Sequence, residues 1–170
     1  MVIDGFTLLA GAFSPVNLAL TGQLVTAIGA TAGTNTIDAG PLASGQNVDY
    51  GNAGLDVTVR VLQTLTSAGT ATVQFQIVTA DDPALSVNVQ VINQTDSYPF
   101  ALLVAGTDVP VRWSPAAPYA PKRYAGLRVV IAGAALTNAT GWLAALLGSD
   151  HQDLGAGGRG PIFRSGMAIA

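Results

Sequence analysis

At 170 residues the chain is long enough for one domain with a full core, and its composition narrows what that domain can be. Charged residues make up 10%, against roughly 25% in an ordinary soluble domain, and there is no Glu and a single Lys, Lys122. This argues against exposed helices and for β-structure, because Glu and Lys are the usual residues of exposed helix faces while Val, Thr and Gly abound here. Cysteine is absent, which excludes disulfides and thiolate metal sites. No apolar run reaches the roughly 18 residues of a membrane span. The short LLAGAF run has no Lys or Arg before it, so no secretory leader is expected. The sequons at Asn93 and Asn138 then read as chance matches in a Thr-rich chain.

The net charge of −3 is graded along the chain. Residues 1–59 carry Asp4, Asp38, Asp49 and Asp56 and no base, whereas Lys122, Arg123, Arg128, Arg159 and Arg164 outnumber Asp150 and Asp153 after residue 121. The basic end is too sparse for a nucleic-acid footprint; the gradient reads as scattered solvated surface charge, with steering of assembly toward a charged partner as the alternative.

In chain order, residues 1–33 are small, apolar and uncharged after Asp4, and are expected to form an N-terminal arm with one or two short strands. A sandwich core is expected over residues 34–148. TNTID (34–38) reads as a strand and 40–54 as a turn-rich loop. Leu55, Val57, Val59 and Val61 alternate with Asp56, Thr58, Arg60 and Leu62, as a half-buried strand does. After Ser67-Ala-Gly69, Ala71, Val73, Phe75 and Ile77 alternate with Thr72, Gln74, Gln76 and Val78, so the two runs predict a β-hairpin. Leu85, Val87, Val89 and Val91 predict a third strand, and Val109, Val111 and Trp113 a shorter one whose Pro110 suits an edge. Further strands are expected over 127–131 and 142–147. No stretch has a sustained 3.6-residue apolar period. Short strands separated by turns mean an antiparallel sandwich, jelly roll or barrel. Residues 149–170 read as a Gly-rich C-terminal arm.

Four candidate sites are weighed. Asp81 and Asp82 are adjacent, so on a strand their side chains diverge, and with Pro83 they read as a strand end and turn. His151, the only histidine, lies in Ser149-Asp150-His151-Gln152-Asp153 with acids beside it but no further His or Cys for a metal site and no sign of a converging triad, and reads as an exposed loop residue. Gly155, Gly157 and Gly160 match GxGxxG but are followed by Pro161 and not by a helix, so they read as linker. Trp113, Tyr119, Tyr124 and Trp142 read as core, with a glycan-stacking platform as the alternative. No catalytic residue, metal or cofactor is expected.

The stretch SAGTATVQFQIVTADD (67–82), with LDVTVRV before it, resembles the jelly-roll capsid cement (head decoration) proteins of tailed bacteriophages, typified by that of a Bordetella phage. TNTIDAG, LLVAGTDVPVRW (102–113) and RYAGLRVVIAG (123–133) extend the resemblance over roughly residues 34–147. It implies an all-β jelly-roll-like sandwich with extended N- and C-terminal arms. It further implies a non-enzymatic virion protein on the outer capsid surface that bridges major capsid proteins and associates with itself as a dimer or trimer. The family has no catalytic residues to carry over, and no nucleic-acid or membrane partner is expected. The arms extend beyond the resemblance, so partner contacts are expected around Phe6, Phe13, Arg159, Phe163 and Arg164, with strand addition as the docking mode. The alternative is a β-sandwich module of a tail fibre or adhesin that binds surface glycans.

Overall fold

The computed structural model describes residues 8–14, 19–40, 56–112 and 122–148. Among the described residues there are eleven strands: β1 (Leu8–Ala10), β2 (Ala12–Ser14), β3 (Ala19–Thr21), β4 (Gly29–Asp38), β5 (Asp56–Val61), β6 (Thr72–Ala80), β7 (Gln90–Gln94), β8 (Tyr98–Pro99), β9 (Asp108–Arg112), β10 (Tyr124–Ala132) and β11 (Leu143–Gly148). One 3₁₀ turn, Phe100–Leu102, follows β8.

Eight of these strands form two antiparallel sheets, ordered β1-β11-β5-β9 and β4-β10-β6-β7, with β8 adding to β6 and β2–β3 forming a separate hairpin. The order has a simple origin. β1 pairs with β11, β4 with β10, β5 with β9, and β6 with β7. These nested pairs are one long antiparallel hairpin, doubled back at the β6–β7 connection. Rolling that hairpin adds the contacts β11–β5 and β10–β6. The product is a jelly roll, the all-β sandwich expected from the sequence.

Alternation specifies the inner faces. Val57, Val59 and Val61 of β5 meet Val73, Phe75 and Ile77 of β6 and Leu127, Val129 and Ile131 of β10 in one buried core. Trp142 is the largest side chain in it, fully buried, with its ring tilted 59° to Phe75 at 6.4 Å between centroids. Its indole N–H donates to the Val25 carbonyl at 2.8 Å, so the one polar atom of the ring is satisfied.

Two expected strand arrangements are corrected. The runs 55–62 and 71–78 do not form a hairpin: β5 and β6 lie in opposite sheets, and residues 62–71 step across the sandwich. That connection is fixed by Leu65 N–H to the Leu103 carbonyl and by a bridge from Ser67 to Leu136. Alternation reports which face is buried and is silent on the neighbouring strand. The strand expected from Leu85 to Val91 begins only at Gln90, because Leu85 and Asn88 have positive φ (54° and 49°) and the segment before β7 is a loop.

The sequence boundary at residue 33 falls inside β4, whose ten residues include TNTID. Upstream, Leu8, Leu9 and Ala10 are buried and β1 is an edge of the first sheet. Gly33 permits this closure, since a Cβ there would overlap the Leu9 carbonyl. The seam between β1 and β4 is stitched by neutral side chains. Asn35 Nδ2 donates to the Leu8 carbonyl (2.8 Å), Gln23 Nε2 to the Ala32 carbonyl (2.8 Å), and Gly11 N–H to Thr34 Oγ1 (3.2 Å). On the opposite seam, Asn93 Nδ2 of β7 donates to the Arg112 carbonyl of β9 at 2.7 Å. Pro110 lies in β9, an edge strand, as its missing N–H requires.

Replacing Trp142 by Ala removes the centre of this core and orphans the Val25 carbonyl. The expected cost is about 3–5 kcal/mol, read as a lower denaturation midpoint by circular dichroism. An unchanged midpoint would contradict the packing described.

Candidate functional surface

Asp81 and Asp82 follow β6 directly and turn away from each other. Asp82 Oδ1 accepts from the backbone N–H groups of Ser86 (2.8 Å) and Val87 (2.7 Å), and its Oδ2 accepts from the Ser86 hydroxyl (2.8 Å). Asp81 Oδ2 accepts from Asn88 Nδ2 (2.7 Å) and from Lys122 Nζ (3.1 Å). Hydrogen bonds from Asn88 and then Lys122 hold the Asp81 carboxyl below its ordinary range. The N–H of Val87 is the largest influence lowering that of Asp82. Neither acid is tuned to hold a proton near neutrality, as a general acid must be. Their work is to fold the 81–89 loop.

That loop closes over the outer face of the second sheet. Leu85 packs with Val78 and Ala80 into a second small core, flanked by Ala32, Val89 and Tyr124. Gly126 makes room for it, since a Cβ at that position would come within 2.8 Å of Leu85 Cδ1. The acid pair thus acts as a clasp for an apolar cover, as the strand-end and turn reading anticipated.

The other flagged residues separate. Trp142 is core and offers no stacking surface. Tyr124 is half-buried beneath the Arg123 guanidinium, 4.9 Å from its ring centroid. Phe13 is half-buried in the β2–β3 hairpin, paired with Leu20. Phe6, Trp113, Tyr119, His151, Gly155, Gly157, Arg159, Gly160, Phe163 and Arg164 lie outside the described residues. Among the described residues, no three His or Asp side chains gather as metal ligands.

Three ion pairs hold much of the described surface charge. Arg60 forms a two-pronged contact with Asp108 (2.8 and 2.7 Å), and Arg123 one with Asp38 (2.7 and 2.8 Å). The Arg123 contact, aided by the Gly40 N–H, lowers the Asp38 carboxyl to about 2. Arg112 and Arg128 make no ion pair among the described residues, and Arg128 is bonded to an amide instead. On the outer face of the second sheet, Arg128 Nε and Nη2 both donate to Gln76 Oε1, at 2.9 and 2.8 Å. Sequence reasoning missed this contact, because the two residues are 52 positions apart and only the β6–β10 register brings them together. Among the described residues, the large apolar side chains left exposed are Leu24, Ile28, Val87, Val91, Leu102 and Val104, spread over the loops, the 3₁₀ turn and the β7 edge.

Compared with known proteins, residues 20–146 match the model of the Bbp16 family, a family named for a Bordetella phage protein. That span exceeds half of the chain and contains every strand from β4 to β10. No curated protein matches the chain.

The carboxyls of Asp38, Asp81 and Asp82 are lowered on folding from an ordinary value of 3.8. The folded protein therefore binds fewer protons than the unfolded chain in mild acid. Their stabilisation is complete above about pH 4 and lost as the pH falls through the folded values, toward about 2 for Asp38. Denaturation midpoints measured from pH 6 to 2 should fall over that window, and less steeply in Asp38→Asn. Asp82→Ala should speed hydrogen exchange at Ser86 and Val87 while leaving that of β10 unchanged.

Proposed function

This chain belongs to the Bbp16 family, and from that premise we propose that it is a structural cement protein of a tailed-phage head. It docks on the outside of the capsid and bridges neighbouring major capsid proteins, in company with further copies of itself as a dimer or trimer. The observation that carries the reading is the family match over the residues that build the jelly roll. Three structural features support it.

The body is a stiff sandwich. Its inner faces are filled by large side chains at essentially zero exposure, and its seams are closed by side chains bonded to backbone. A cement protein carries load between shell subunits, and a closely packed interior transmits strain instead of yielding to it. Its charge content is low, and most of the described cations are already neutralised locally. Interface cores are depleted in charge for the same reason, since an unpaired ion loses hydration when covered. The acids that could have served chemistry are engaged in holding a loop. Nothing in this role needs an acid, base, metal or cofactor. Modest contacts suffice, because repetition across a symmetric lattice multiplies them. The glycan-binding alternative loses Trp142, which is buried with its N–H engaged.

Quantitative mass spectrometry of purified heads tests the proposal by counting this chain against the major capsid protein. Hundreds of copies in a simple ratio to the shell protein are expected. A handful of copies, or none, would reject a lattice role.

A further inference from the structure

The outer face of the β4-β10-β6-β7 sheet is in two parts. The part toward the end of β6 lies under the 81–89 loop, through Leu85 and its neighbours. Alongside that cluster, which Ala32 borders, the face continues as a shelf. One row of the register places Ala30, Val130 and Gln74 side by side, and the next places Ala32, Arg128, Gln76 and Gln94. These residues share one face because directly opposed positions, and positions two apart, point to the same side of a sheet.

Among the described residues Arg128 is the only charge on this shelf, and it is half-buried. Gln76 aims its amide oxygen at the guanidinium and is itself held, with Nε2 donating to Gln94 Oε1 (2.9 Å) and Gln74 Oε1 (3.1 Å). Gln74 Nε2 is tied in turn to the Thr95 carbonyl at 2.9 Å. This chain of amides fixes the orientation of the guanidinium and leaves its charge uncompensated. Among the described residues, ion pairs are made by Arg60, Lys122 and Arg123; Arg128 makes none. Arg112 also makes none, but it is exposed on an edge strand, whereas Arg128 is on a central strand.

Building on the proposed cement role, we propose that this shelf is the face that docks on the shell protein, and that the shell protein presents an Asp or Glu carboxylate to the free edge of Arg128. Three physical arguments select that occupant. A guanidinium already fixed in place loses little freedom on binding, and its planar fork matches a carboxylate. A cation centred in an uncharged surround of Ala, Val and Gln has the composition of an interface core, where Arg is enriched and other charges are sparse. A second copy of this chain is the wrong partner for the same face. Two shelves opposed about a twofold axis would set the Arg128 side chains against each other with no acid between them.

The test uses heads assembled without this protein, to which labelled full-length protein is added and from which bound and free fractions are separated by sedimentation. Arg128→Glu should weaken binding on the order of 100-fold, the range for breaking a covered charge pair. Arg128→Gln, which retains polarity without charge, should lose nearly as much, and Arg128→Lys should fall between them and wild type. Unchanged thermal midpoints would confirm that the variants are folded. Binding by Arg128→Glu and Arg128→Gln equal to wild type would overturn this assignment and leave the cement role standing. Failure of the wild-type protein to bind heads would overturn both. A change in the mass of the free oligomer with unchanged head binding would make the shelf a self-contact and refute the proposal.

Discussion

A sandwich of two sheets has open edges, and the backbone groups along them have to be satisfied without inviting other chains to pair. This constraint organises the molecule. Rolling the nested hairpin brings β1 beside β4 on one seam and β7 beside β9 on the other. Neutral amides then close the seams: Gln23 and Asn35 on one, Asn93 on the other. Each amide reaches a carbonyl across the gap and leaves no charge behind. Long charged side chains, a common device for protecting edges, are scarce in this composition. The sealing is done by neutral Asn, Gln and Thr side chains.

The same economy governs the surface. Most of the described acids are given a local task. Asp81 and Asp82 clasp a loop, and Asp38 and Asp108 neutralise arginines beside them. The clasp matters beyond the loop itself, because Leu85 covers part of an outer sheet face with a second small core. A jelly roll with tight seams and a mostly neutral exterior is suited to resisting deformation while buried among other subunits.

Much of this was legible in the sequence, in proportion to how local the signal was. The alternation of Val57, Val59 and Val61, of Val73, Phe75 and Ile77, and of Leu127, Val129 and Ile131 identified inner faces that the core confirms. Pro110 marked an edge, and Asp81-Asp82-Pro83 marked a strand end. Partner choice was not legible. The 62–71 segment looks like a hairpin turn with slack, yet it steps between sheets because nesting pairs β5 with β9. β4 was hard to see in full because GATAGTNTID has almost no large apolar residue to set a period. Val87, Val89 and Val91 alternate as a strand should, but the Asp82 carboxylate captures the N–H groups that a strand would have used. The Arg128–Gln76 contact depends on register between distant strands, which single-sequence periodicity does not encode.

The proposed role is mechanical, the reinforcement of a shell. The direct measurement compares heads made with and without it, heated stepwise while DNA release is followed with an impermeant dye. Heads lacking the protein should release DNA at a lower temperature, and adding the purified protein back should restore the wild-type midpoint. Identical release temperatures with and without it would contradict the account.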